Sequence, residues 1–207
     1  MAINGQIGNP TNLSDQDGSS VLSFEELGHG GANDYLPARK GRFLITNLVI
    51  DSSVASASIQ TGFNQSTILE VEFINIKGAS NNTDFMLRFY ESGVEESGTV
   101  YDRATWYMVD SNSQIWNNSS NDSQFRLGIG VGNATYESFN CVATIFHANE
   151  STRQTSLMSN SVYMQGGNLY NSQCQGELPQ ASLVDGIKVF FGTGNIESGE
   201  IRVYGYG

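Results

Sequence analysis

From residue 43 onward, short apolar runs return roughly every 10–15 residues, and Gly, Asn, Ser and Asp fill the gaps between them. This rhythm constrains the fold more than any other feature of the chain. Short runs rich in β-branched and aromatic residues, bounded by turn formers, read as strands. The runs are FLITNLVI (43–50), TILEVEFINIK (67–77), DFMLRFY (84–90), ATWYMV (104–109), QFRLGIGV (124–131), ESFNCVATIFH (137–147), TSLMSNSVYM (155–164), NLYNSQCQ (168–175), GIKVFF (186–191) and EIRVYG (200–205). Few windows place apolar residues at helical spacing; ELPQASLVDG (177–186) has room for one short helical turn. Strands in this number, without crossover helices, imply an all-β fold: antiparallel sheets packed face to face as a jelly-roll-like sandwich over 43–207.

Alternation within the runs predicts faces. In 84–90, Phe85, Leu87 and Phe89 share one side, and Met86, Arg88 and Tyr90 the other. Phe139, Cys141, Ala143 and Ile145 are grouped in the same way. The run 67–77 changes phase, from Leu69, Val71 and Phe73 to Ile74 and Ile76, which predicts a β-bulge near Phe73 and Ile74. GGN at 166–168 is a hairpin turn. GTGNIESG (192–199) reads as a second, glycine-punctuated hairpin, folding the last run back to pair with an earlier strand.

Residues 1–42 differ. They are polar and aperiodic, with isolated apolar residues Phe24, Leu27, Tyr35 and Leu36 and one basic cluster, Arg39, Lys40 and Arg42. The expectation is an extended N-terminal arm, with these seven residues as candidates for docking onto an acidic partner. The rest of the charge is strongly acidic: the net value of −11 excludes a phosphate-binding surface, so no nucleic-acid partner is expected. No run approaches the roughly 20 apolar residues of a spanning helix, so no membrane partner is expected either. MAINGQIGNP has neither a basic start nor an apolar core, which points to synthesis in a cytoplasm. Two cysteines, Cys141 and Cys174, make no disulfide framework; buried free thiols are expected.

Chemistry leaves few traces. His29 and His147 are far apart, as are the cysteines, so zinc has no support; no G-x-S-x-G elbow or phosphate loop is present. The carboxylate pairs Glu25–Glu26 and Glu95–Glu96 lie in loop-like sequence with nothing nearby to raise a pKa. The nearest approach to a metal motif is DQDGSSVLSFEE (15–26), with Asp15, Asp17 and Glu26 at positions 1, 3 and 12 of a calcium-type loop. Ser20 stands where the loop needs glycine, and no helices flank it. No catalysis and no cofactor are expected. Trp106, Tyr107, Tyr136, Tyr163, Tyr170, Tyr204 and Tyr206 serve in core or interface packing or, with Asn, Asp and Gln nearby, as sugar-stacking faces. Trp116, in the apparent loop SNSQIWNNSSND, is the candidate glycan contact.

The C-terminal stretch LVDGIKVFFGTGNIESGEIRVYGYG (183–207) resembles the C-terminal signature of a family of bacteriophage tail-fibre and virion proteins. The matching elements are Ile187–Lys188, Gly194–Asn195–Ile196, Ser198–Gly199 and Tyr204–Gly205. GNATYESFNCVATIFHANESTRQTSLMS (132–159) and FINIKGASNNTDFMLRFYESGVEESGTVYDRATWYM (73–108) are similar, more loosely, to its preceding blocks. The loop after His147 lacks the proline common in the family, and residues 1–42 fall outside the pattern. The resemblance implies a jelly-roll-like sandwich, symmetric oligomers (often homotrimers), no catalysis, and a place in the virion beside major capsid or tail proteins. It implies a capsid decoration (cement) protein or a short tail or head fibre; the alternative is a module that binds a host surface glycan.

Overall fold

The structure is a computed structural model that describes residues 41–206. Asp15, Asp17, Phe24, Glu26, Leu27, Tyr35, Leu36, Arg39 and Lys40 lie outside the described residues, and Arg42 is the first residue of the first strand. Phe43–Tyr206 is one compact unit.

The described residues form one 3-10 turn (Phe63–Gln65) and thirteen strands: β1 (Arg42–Ile50), β2 (Ala57–Ile59), β3 (Ile68–Gly78), β4 (Thr83–Glu91), β5 (Val94–Glu95), β6 (Tyr101–Val109), β7 (Ser113–Asp122), β8 (Phe125–Val131), β9 (Phe139–Phe146), β10 (Gln154–Gln165), β11 (Asn168–Ala181), β12 (Val184–Phe191) and β13 (Ile196–Tyr206). The large sheet has eight strands in the order β1-β13-β3-β9-β10-β11-β6-β7; the small one runs β2-β12-β4-β5, with β8 also paired to β4. The fold is an all-β sandwich of two antiparallel sheets, as the spacing of strand signals implies.

The faces follow the alternation. Leu69, Val71 and Phe73 from β3, Phe85, Leu87 and Phe89 from β4, and Phe139, Cys141, Ala143 and Ile145 from β9 are buried between the sheets. Phe85 is the centre of this layer: its ring lies 5.4 Å from Phe73, 4.8 Å from Phe139 and 5.0 Å from Phe191. A second aromatic group, Phe89, Tyr101 and Phe125, fills the space under β6 and β8. The hydroxyls of the buried tyrosines are satisfied by backbone. Tyr101 accepts from Phe89 N–H and donates to Glu96 C=O, and Tyr163 does the same at Ile129. Both cysteines are buried free thiols, and burial pushes both up.

Several local readings of the sequence are met and three are corrected. The bulge in β3 is present: register shifts between Phe73 and Ile76, and Asn75 takes a positive φ of 51°. Gly166 and Gly167, both at positive φ, turn β10 into β11. The helical turn at 177–186 does not form; β11 runs on to Ala181 and β12 begins at Val184. SNSQIWNNSSND is no loop either: its residues from Ser113 make β7, the edge strand of the large sheet.

The third correction concerns GTGNIESG. It is no hairpin, because β12 and β13 belong to different sheets; the turn at 192–195 carries the chain across the sandwich. β13 then pairs with β3, and its other neighbour is β1. Gly194 sits at φ 78°, where a Cβ would come 2.4 Å from Ser80 Oγ. Gly199 sits at φ 144° beside the β3 bulge, where a Cβ would come 2.5 Å from Ile76 Cδ1. The register of β13 on β3 slips at Ser198 and Glu200, so the Ser-Gly step is a second irregularity fitted to the first.

Candidate binding surface on the large sheet

The antiparallel register aligns outward-facing side chains in rows across five strands. One row runs Trp116, Trp106, Gln173, Asn160, Val142 from β7 through β6, β11 and β10 to β9. On one side of it lie Gln114, Met108, Asn171, Val162 and Asn140. On the other lie Asn118, Ala104, Gln175, Met158 and Thr144. On β6, β11, β10 and β9 their neighbours along the strand point into the core: Thr105, Cys174, Ser159 and Cys141 are all buried.

None of these fifteen positions carries a formal charge, and seven are Asn or Gln. Charge returns in the same rows on β3, as Glu70 and Glu72. The outer face of the small sheet is the opposite case, with Arg88, Lys188 and Glu95 paired on it and Asp84 bound to Arg126. On an acidic chain these three rows thus form an uncharged patch, which ends one row further on at Asp102 and Glu177 of the same strands.

Trp116 and Trp106 meet because the β6–β7 hairpin sets them opposite each other. Its loop is Asp110, Ser111 and Asn112, closed by the Asn112 N–H donating to Val109 C=O at 3.0 Å, with Asn112 at φ 65°. The indoles stack at 5.9 Å between centroids and 24° between planes. Trp106 Nε1 donates to Gln173 Oε1 at 3.1 Å. Trp106 therefore covers one face of Trp116, which remains 67% exposed. Next to Gln173, Asn171 Nδ2 donates to Asn160 Oδ1 at 2.9 Å and to Ser161 C=O at 3.0 Å. The platform ends in a shallow depression of about 390 Å³ between β3, β9 and β10, floored by Val142 and Val162 and bordered by Asn140, Asn160 and Asn171. The bulge of β3 shapes its rim, where the Asn75 N–H donates to Asn140 Oδ1 at 2.9 Å.

The other sequence candidates are scattered. Tyr163 is buried and Tyr170 is stacked on it at 5.4 Å; Tyr136 stands 94% exposed in the loop before β9. His147 follows β9 at φ 60°, with Nδ1 3.5 Å from Glu150 Oε1. Glu95 does have basic neighbours, contrary to its local sequence: β5 sets it beside Arg88 of β4 and Lys188 of β12, at 2.7 and 2.6 Å. Burial would raise its carboxyl, but the hydrogen bonds and charges of Lys188 and Arg88 outweigh burial and hold it below the usual range. This is the reverse of what a general acid needs.

Asp122 is held down in the same way, burial being overcome by Arg103, the Ser123 N–H and Arg126. Both carboxyls thus have folded-state values below those of the unfolded chain. Their stabilisation is complete above about pH 5, and it is lost as pH falls through the depressed values. The urea midpoint is expected to stay level from pH 7 to about pH 5 and to drop towards pH 3. Equal midpoints at pH 7 and pH 3 would mean that these pairs contribute nothing.

Sequence reading singled out Trp116 but missed Trp106 as its partner, and missed Gln173. The signal was present: Trp106 and Trp116 are equally spaced about the turn formers Asp110 to Asn112, as paired residues of a hairpin must be. No family model matches the chain, and a search of curated proteins finds none that matches it.

Proposed function

We propose that the protein is a non-enzymatic structural component of a bacteriophage virion, exposed on the particle as a capsid decoration protein or a short tail or head fibre. It assembles as a homotrimer and docks on major capsid or tail proteins through residues 1–42. The observation that carries this reading is the placement of the C-terminal signature. Gly194–Asn195–Ile196 makes the sheet-crossing turn and the start of β13, and Ser198–Gly199 makes the irregularity matched to the β3 bulge. Two of the four elements that resemble the virion family, Gly194–Asn195–Ile196 and Ser198–Gly199, are therefore those on which the placing of β13 depends.

The test is native mass by light scattering, followed by sedimentation with particles that lack the protein. The expected mass is three times the 22.5 kDa of one chain, with stoichiometric binding to shells or tails. Removing residues 1–42 is expected to abolish co-sedimentation and leave the sandwich folded. A monomer that binds neither shells nor tails would overturn the proposal, and unchanged co-sedimentation of the truncated chain would overturn the role of the arm. A second reading, recognition of a host surface glycan, is supported by the exposed indole of Trp116 stacked on Trp106. One virion protein can do both.

A further inference from the structure

We infer that the outer face of β7, β6, β11 and β10 is a binding platform for a neutral polysaccharide, with Trp116 as its stacking residue and Gln173 as its central hydrogen-bonding residue. This rests on the glycan reading and specifies its site and ligand class.

Three observations carry it. The first is the indole pair. A sugar ring presents an apolar C–H face, and an exposed aromatic ring held rigidly in place is the surface that receives it at small entropic cost. Trp106 fixes Trp116 from one side, and Trp106 is itself fixed by Gln173, so the receiving ring is preorganised.

The second is the amide content. Hydroxyls donate and accept, and so do carboxamides, which makes Asn and Gln the side chains matched to them. Here the acceptor ends are already used in orientation: Gln173 Oε1 takes the Trp106 N–H and Asn160 Oδ1 takes Asn171 Nδ2. The Nε2 of Gln173 and the Nδ2 of Asn160 have no partner among the described residues, and both lie in the row that begins at Trp116. Four strands at roughly 4.8 Å spacing make this row about 14 Å long, enough for several linked sugars.

The third is charge. On a chain of net −11, an anionic polysaccharide meets general repulsion and this face offers it no cation. The same pattern argues against a second copy as the occupant. The apolar residues fall in two groups: Trp116, Trp106, Ala104 and Met108 adjoin at one end, and Asn171, Gln173 and Gln175 of β11 part them from Met158, Val162 and Val142, whereas the core of a protein interface is contiguous and apolar.

The experiment is affinity electrophoresis of the full chain in gels containing dextran, mannan, galactan or polygalacturonate, with tryptophan fluorescence titration of any that retards it. The expected result is retardation by at least one neutral polymer, none by polygalacturonate, and a change in tryptophan emission on binding. Trp116→Ala is expected to weaken binding roughly tenfold or more, Trp116→Phe to retain most of it, and Gln173→Ala to weaken it with the indole still present. Light scattering of each variant monitors fold and assembly. Preference for polygalacturonate overturns the ligand class. Binding untouched by both Trp116→Ala and Gln173→Ala overturns the site and leaves the glycan reading standing. No retardation by any polymer overturns the inference together with that reading. Loss of native mass in Trp116→Ala identifies the face as a subunit contact and overturns the platform.

Discussion

Phe85→Ala is expected to cost about 3–5 kcal/mol of folding stability, against the roughly 5–15 kcal/mol that a folded protein commonly possesses. Phe85 is fully buried, and its ring touches Phe73 and Phe139 of the large sheet and Phe191 of the small one. It is therefore shared by both layers, and three aromatic neighbours are too stiff to collapse into the space it leaves. The cost thus includes a cavity as well as the lost transfer energy. Phe85→Leu, which keeps part of the volume, should lose clearly less. Equilibrium urea unfolding measures both: the midpoint should fall with the slope unchanged. A loss below about 1 kcal/mol for Phe85→Ala would mean that the ring does not sit between the sheets.

That core was legible in the sequence because its signal is local. Phe85, Leu87 and Phe89 alternate within seven residues, and period-two alternation is enough to assign a face. The β3 bulge was legible for the same reason, since a phase shift is visible in one strand without knowledge of its partner. β7 was not legible. Its sequence SQIWNNSSND has two large apolar residues side by side and no alternation, because an edge strand that is exposed over most of its length buries too little to impose one. The crossing at 192–195 was also hidden: the same turn residues serve a hairpin and a crossover, and only the partner of β13 tells them apart.

The candidate face was half legible for a related reason. Trp116 attracts notice alone, but the row it begins is assembled from β7, β6, β11 and β10, whose members are spread over residues 106–173. Register, which no single strand encodes, turns scattered Asn and Gln residues into a continuous surface. In ordinary composition terms those residues read as polar turns and solvent-facing filler. The charged residues that would have marked a site conventionally lie elsewhere, on the small sheet and beneath β7.

The group beneath β7 leads to the other large expected effect. Arg103 is buried on β6, with its side chain 3% exposed, and both Nε and Nη2 approach Asp122 Oδ2, at 2.7 and 2.6 Å. Its Nη1 donates to the backbone carbonyl of Asn117, on β7 next to Trp116. Asp122, the last residue of β7, is also 3.6 Å from Arg126 Nε, and Arg126 Nη1 donates to Asp84 Oδ2 at 2.7 Å. Alternating charges thus connect β6, β7, β8 and β4, and they tie the edge strand that carries Trp116 to the body of the sandwich. Asp122→Ala leaves the Arg103 guanidinium buried without its counter-charge, so a loss of about 3–5 kcal/mol is expected, with faster hydrogen exchange along β7. The double replacement Arg103→Met with Asp122→Leu removes the stranded charge and is expected to be more stable than Asp122→Ala alone. Urea unfolding of the two variants decides the matter. If the double variant is as unstable as the single one, packing rather than charge secures this edge; if Asp122→Ala costs under about 1 kcal/mol, the pair behaves as an ordinary surface salt bridge and β7 is held by its ladder to β6 alone.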